Sequence, residues 1–318
     1  MTRFSLTIFF LLVVLISFGQ VRTGKDSLPA NPPVMKVTLL GTGTPPPIME
    51  RFGPSILVQA GSETLLFDAG RGCLQRLRQI NVSYAKITAL FLTHLHSDHI
   101  VGLSDLWLTG WLVSERTMPL NVFGPTGTDE MIAHLQKAFS YDVNIRTEDD
   151  KRLKKEGGKL LAREIEQGVV YEKNGVKVIA FKVDHGIVKP AFGYRIEYNG
   201  HSVVLSGDTR YSENLIEYAR GTDLLIHEVV TAPDTLSKSD PKYHIVALHT
   251  TPEQAAKVFN EVKPKLAAYS HIAKPYGNTE QEILNRTKAS YSGPLVMGED
   301  LMSFSINDTI SVNNWQNK

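Results

Sequence analysis

Residues 92–99 read LTHLHSDH, and three of the chain's ten histidines fall between His94 and His99, with Asp98 among them. The preceding KITALFLT (86–93) is a β-branched, apolar run of the kind that forms a buried strand. The following residues, Gly102 to Val113, carry a helical pattern rich in Leu and Trp. The histidines therefore stand where a strand ends and a helix begins. Imidazole titrates near neutrality and is the commonest metal ligand. His94 and His96 alternate along an extended loop, and His99 opens the helix with Asp98 beside it. So dense a cluster is costly to hold together unless something compensates for it, and a metal is the candidate.

The same punctuation recurs outward from this stretch. VDHG ends a strand with His185, SGDT with Asp208, IHE with His227 and Glu228, and YSHI with His271; His249 stands at a helix start in ALHTTPEQAA. Strands are expected at VMKVTLL, SILVQA, ETLLF, PLNVFGP, GVKVIAFKV, AFGYRIEY, HSVVL, DLLIHE, KLAAYS and, last, LMSFSI. Helices are expected over 71–80, 128–139, 213–219, 251–262 and 279–289. Strands mixed with helices, several strands opening each half, fit two packed sheets with helices outside. No Pro/Gly/Ser-rich linker divides the chain, so residues 35–306 are read as one domain, with 307–318 as a C-terminal tail.

Imidazole and carboxylate without thiolate suit zinc, and also manganese or iron. Four ligands on so short a loop would crowd one ion, and two adjacent ions relieve this: one takes His94 and His96, the other Asp98 and His99. A carboxylate bridges two ions through its two oxygens, and Asp208 is the candidate bridge.

The ordered set His94-x-His96-x-Asp98-His99, then His185, Asp208 and His271, resembles the metallo-β-lactamase fold superfamily, over about residues 35–306. The resemblance implies an α/β fold, an αββα sandwich of two mixed sheets with helices outside, and a dinuclear zinc site at one edge. It implies that His94, His96 and His185 bind the first metal, that Asp98, His99 and His271 bind the second, and that Asp208 bridges them. True β-lactamases of this fold use a cysteine ligand; the single cysteine, Cys73, is far from every ligand loop. LLGTGTPPP with RFGPS, DLLIHE and LHTTPEQAA resemble the opening turn, His-Glu-Ala-Thr motif and His-Ser-Thr segment of the ribonuclease Z branch. By that resemblance Glu228 orients His249, which protonates the leaving oxygen, while Asp98 helps position a hydroxide held by the metals. Exported arylsulfatases of this fold share these features.

Composition bears on the substrate. MTRFSLTIFFLLVVLISFGQ (1–20) has the layout of a secretory signal peptide, followed by a loose lead-in over 21–34. Its apolar run is short for a membrane span, so cleavage is read ahead of an uncleaved anchor, no stable insertion is expected after cleavage, and the destination is periplasmic or secreted. Without Arg3 the 34 basic residues become 33, against 33 acidic. Nucleic-acid binders usually carry a basic excess, and ribonuclease Z grips transfer RNA with a basic arm that has no clear counterpart between His99 and His185. Residues 146–173 hold eight Lys/Arg and seven Asp/Glu around Gly157 and Gly158, read as solvated surface. Export and neutrality favour a small anionic ester, with a lean to arylsulfate. A ribonuclease Z-like phosphodiesterase or endoribonuclease, a lactonase or thioesterase, and a non-catalytic metal-binding protein are the alternatives, and a homodimer is left open. Arg51 is read as a surface cation or an anion contact, Cys73 and His227 as buried, and Trp107 and Trp111 as core.

Overall fold

The computed structural model describes residues 34–315 except residue 234. The expected leader, and the lead-in up to residue 33, lie outside the described residues. Strand period sets the architecture. Side chains alternate faces along a strand, and here both faces are apolar: Leu39 points one way and Leu40 the other, as do Val58 and Leu57, Leu65 and Leu66, Val203 and Val204. A sheet apolar on both faces needs a cover on each.

The first sheet comprises β1 (Met35–Gly41), β2 (Ser55–Ala60), β3 (Glu63–Phe67), β4 (Ala89–Phe91), β5 (Leu120–Gly124) and β6 (Leu160–Glu164). The second comprises β7 (Gly168–Lys173), β8 (Val176–Lys182), β9 (Phe192–Tyr198), β10 (His201–Leu205), β11 (Leu224–Val230), β12 (Leu266–Ala273) and β13 (Leu295–Met297); β14 (Ser303–Ile306) and β15 (Ile310–Asn313) return to the first. The orders are β15-β14-β1-β2-β3-β4-β5-β6 and β13-β12-β11-β10-β9-β8-β7, each mixing parallel and antiparallel pairs. Val37, Phe67 and Phe91 of the first sheet meet Phe192, Tyr194 and Ile226 of the second in a central core. Leu57, Leu66 and Leu90 pack outward against Leu77, Leu106 and Trp107 of the helices Cys73–Gln79 and Leu103–Leu112. Val204, Leu225 and Ala267 pack outward against Ile216, Ala255 and Phe259 of Glu213–Ala219 and Pro252–Val262. The result is the expected αββα sandwich.

Three expectations are corrected. The expected tail supplies β15, which pairs with β14 from Ser303↔Asn313 to Ile306↔Ile310, so LMSFSI is not the last strand. The charged segment 146–173 is not simply solvated surface; it carries the edge strands β6 and β7. Its apolar residues are spaced for burial, with Leu160 and Ile165 in the core, and Tyr171 donates to Glu63 Oε2 across the sheets at 2.5 Å. Its glycine pair serves close packing: a Cβ on Gly157 would lie 1.6 Å from the Arg116 carbonyl oxygen. The indoles of Trp107 and Trp111, both buried as expected, donate to Gly158 and Lys154 carbonyls there. Arg51 is neither a surface cation nor free to touch an anionic substrate. It is 7% exposed and committed to Glu280 at 2.8 Å, with further bonds to Thr42 and Gly298.

Among the described residues no helix is long and apolar enough to cross a membrane. Cys73 is buried and unpaired, and burial pushes its thiol up to about 12, where it is a poor nucleophile.

Candidate metal centre

The loops after β4, β8, β10 and β11 and a bulge inside β12 converge at one end of the sandwich. Beyond β4, Leu92 N–H bonds to Phe123 across the sheet, the Leu92 carbonyl accepts from Tyr194 Oη, and the Thr93 carbonyl accepts from Phe192 N–H. Both sheets thus fix the segment just ahead of His94. Asp98 and His99 lie on the short helix Ser97–Ile100. Gly207 turns the chain at φ 60°, and a Cβ there would lie 2.5 Å from the Phe192 carbonyl oxygen, so glycine is required to present Asp208. His271 is delivered by a bulge. In the parallel pairing, Glu228 faces Ser270 and Val229 faces Ile272, which leaves His271 unmatched at φ 43°. Bulges re-aim side chains beside active sites, and this one turns His271 into the cluster.

All seven expected ligands come together. One donor atom from each of His94, His96, His185 and Asp208 lies within 4.8 Å of the others, and the same holds for Asp98, His99 and His271. Asp208 Oδ2 lies between the groups, 3.8 Å from His94 Nε2 and 3.9 Å from His185 Nε2 on one side, 3.4 Å from His99 Nε2 and 3.3 Å from His271 Nε2 on the other. His94 Nε2, His99 Nε2 and Asp208 Oδ1 are buried with no hydrogen-bond partner among the described residues. Buried polar atoms are seldom left unsatisfied, and imidazole nitrogens with carboxylate oxygens are the donors that divalent zinc-like ions accept. The residues fit a metal centre.

Outer contacts set the tautomers. His185 Nδ1 lies 2.9 Å from the Leu248 carbonyl, which only accepts, so Nδ1 carries the proton and Nε2 presents its lone pair. His99 Nδ1 is held the same way by Asp68 Oδ2 at 2.8 Å. Asp68 also accepts from the Thr93 hydroxyl at 2.9 Å, and that hydroxyl lies 3.0 Å from His94 Nδ1. One carboxylate thus orients a histidine of each group. Sequence reading passed over Asp68; the signal was an acid directly after β3, the strand beside β4. Asp68→Asn is expected to weaken zinc binding roughly 10–100-fold, the usual cost of losing such a partner, with the fold intact. Competition against a chromogenic chelator measures it, and unchanged affinity would make Asp68 merely structural.

Burial, with nearby imidazoles, lowers the pKa of His94, and burial lowers those of His96 and His185, so all three are neutral and ready to ligate. Burial alone would lower His99, but Asp208 and Asp68 on either side raise it well above the ordinary range. Burial alone would raise Asp208, but His271 and His99 hold it well below.

Beside the cluster, His249 Nδ1 lies 3.2 Å from Glu228 Oε1. The same oxygen accepts from Thr250 N–H at 3.0 Å and Thr209 N–H at 3.2 Å, which locks the carboxylate. The helix Pro252–Val262 begins on a capping box at Thr251 and Gln254, which fixes the chain two residues past His249. Burial opposes protonation of His249, but Glu228 outweighs it and raises the pKa to about 9. His249 also has a ring nitrogen within 4.8 Å of donor atoms of Asp208 and His271. His227 is buried, as expected, with Nδ1 on the Glu228 carbonyl at 2.6 Å.

This fold, with a His/Asp cluster at the ends of its strands, places the chain in the β-lactamase superfamily of metal-dependent hydrolases, whose family model, described as "Beta-lactamase superfamily domain", matches residues 63–272. More particularly, it is similar to curated ribonuclease Z proteins. That of Mycobacterium bovis is 35% identical over 272 residues, covering 84% of this chain and 97% of the relative. That of Mycolicibacterium gilvum is 40% identical over 229 residues, covering 70% and 79%. Among solved structures, the Bacillus subtilis metallo-β-lactamase fold protein YhfI superposes with a TM-score of 0.67 at 20% identity, over 85% of this chain and 98% of its own. The short form of human tRNase Z superposes with a TM-score of 0.64 at 23% identity, over 86% and 99%.

Proposed function

We propose that the chain is a dinuclear-zinc phosphodiesterase of ribonuclease Z type. This replaces the lean to arylsulfate, since the curated relatives reported above are ribonucleases and their likeness spans nearly the whole of the M. bovis protein. The observation that carries the reading is the His249–Glu228 pair beside the cluster, because a non-catalytic metal protein needs the ligands but not an oriented acid. His94, His96 and His185 would hold one ion and Asp98, His99 and His271 the other, with Asp208 between the two sets. When bound, the two ions supply Lewis acidity toward a phosphoryl group and a lowered pKa for water. Asp98 accepts from the attacking water and so aligns it with phosphorus. His249, its Nδ1 proton held by Glu228, delivers the Nε2 proton to the leaving oxygen.

The zinc-loaded protein is expected to hydrolyse bis-p-nitrophenyl phosphate at least roughly tenfold faster than p-nitrophenyl sulfate, and a chelator should abolish both activities. A transfer RNA precursor assayed in parallel tests the RNA substrate that the relatives' name suggests. Preference for the sulfate would overturn the phosphodiester reading.

A further inference from the structure

The catalytic groups open into a cavity of about 730 Å³, which Asp98, Asp208, His249 and His271 enter from one part of the lining. This is far more room than a phosphoryl group needs and lies in the range of sites for whole organic ligands. The remaining wall is mainly aliphatic: Pro45, Pro46, Ile48, Ile245, Leu248 and Ile272. Ile48 is 42% exposed and its neighbour Met49 77%, so the apolar surface continues outward along the 44–50 loop. Cations are few. Lys274 is spent on Glu280 at 3.2 Å, and Lys242 donates to the Pro275 carbonyl. A site that gripped a polyanion along this wall would present several uncommitted cations to phosphates.

We infer that this cavity binds an aromatic ring carried by the ester, next to the scissile phosphoryl group, and that Ile245 and Ile48 determine the specificity for it. The inference rests on the phosphodiesterase reading for the reaction but on the wall itself for the ring. Ile245 and Leu248 lie on the same short segment as His249, so the ring is placed on the His249 side and belongs to the alcohol whose oxygen His249 protonates. A flat ring against aliphatic walls removes apolar surface from water on both sides, while the charged phosphoryl remains at the cluster. An aryl group and a nucleobase share this chemistry.

The test is calorimetric binding of methyl-, phenyl- and 1-naphthylphosphonate, and of uridine 5′-monophosphate, to the zinc-loaded protein, with diester hydrolysis measured on the same preparation. Phenyl and naphthyl ligands are expected to bind roughly tenfold or more tighter than methyl, the scale on which burying a ring acts. Ile245→Asn is expected to bring the ratio near one. Ile48→Asn, on an exposed loop where folding is not at stake, should lower it severalfold. A gain for uridine monophosphate equal to that for phenyl identifies a nucleobase; a gain confined to the phosphonates identifies an aryl group. Equal affinities across the series, with diester hydrolysis intact, would overturn the inference and leave the reaction standing. Ring preference without diester hydrolysis would overturn the reaction and leave the pocket standing.

Discussion

Asp208→Asn is expected to lower diester hydrolysis by a factor on the order of 10³ or more, and to reduce bound zinc from two ions per chain to one or none. The reason is positional. Asp208 Oδ2 lies within 3.9 Å of a nitrogen from each of four histidines, two in each group. Asparagine preserves the shape but removes the charge and one of the two carboxylate oxygens. The remaining carboxylate within the donor groups is Asp98, 3.7 Å from His99 Nε2 and 3.4 Å from His271 Nε2. The Asp208 carboxyl is held ionised because burial's penalty is outweighed by the surrounding imidazoles, so the neutral amide takes a fixed negative charge out of the centre of the cluster. Metal content by atomic absorption and near-ultraviolet circular dichroism together read the result. A variant that keeps both ions and full activity would show that the ions do not share Asp208.

The sandwich was legible because strands are mixed with helices, with several strands opening each half, and because the ordered His/Asp set resembles a superfamily of that fold. The seven candidate donors were legible because they were read at strand ends or a helix start, although the structure places His271 inside β12, at its bulge. What escaped reading escaped for physical reasons. β6 and β7 are edge strands whose charges protect a sheet edge, and those charges mask the spacing of Leu160 and Ile165. β13 is three residues long, too short to show a period. Asp68 makes its contacts only when β3 pairs with β4, a long-range event that no local pattern records. The His271 bulge depends on a register slip against β11, equally invisible along one strand. Arg51 finds Glu280 only through the fold, so its exposure could not be read from its neighbours.

His249→Ala is expected to leave zinc content unchanged while lowering turnover of an unactivated diester by roughly 10²–10⁴, the usual contribution of a general acid. The competing role is ligation, since a His249 nitrogen also lies within 4.8 Å of Asp208 and His271 donor atoms. The two roles differ in what the ring's other nitrogen does. Glu228 holds Nδ1, and its Oε1 is fixed by two further backbone bonds from Thr209 and Thr250, so only Nε2 faces the cluster. A ligand's removal lowers zinc affinity and affects all substrates alike. An acid's removal affects a substrate in proportion to its need for the proton: a p-nitrophenolate leaves without help, whereas an alkoxide does not. The loss should therefore be small for bis-p-nitrophenyl phosphate and large for a diester with an alcohol leaving group. Glu228→Gln should follow the same pattern more weakly, because Nδ1 keeps an acceptor but loses the charge that sustains protonation. A uniform loss across leaving groups, accompanied by loss of zinc, would reassign His249 as a ligand and leave the proton to water.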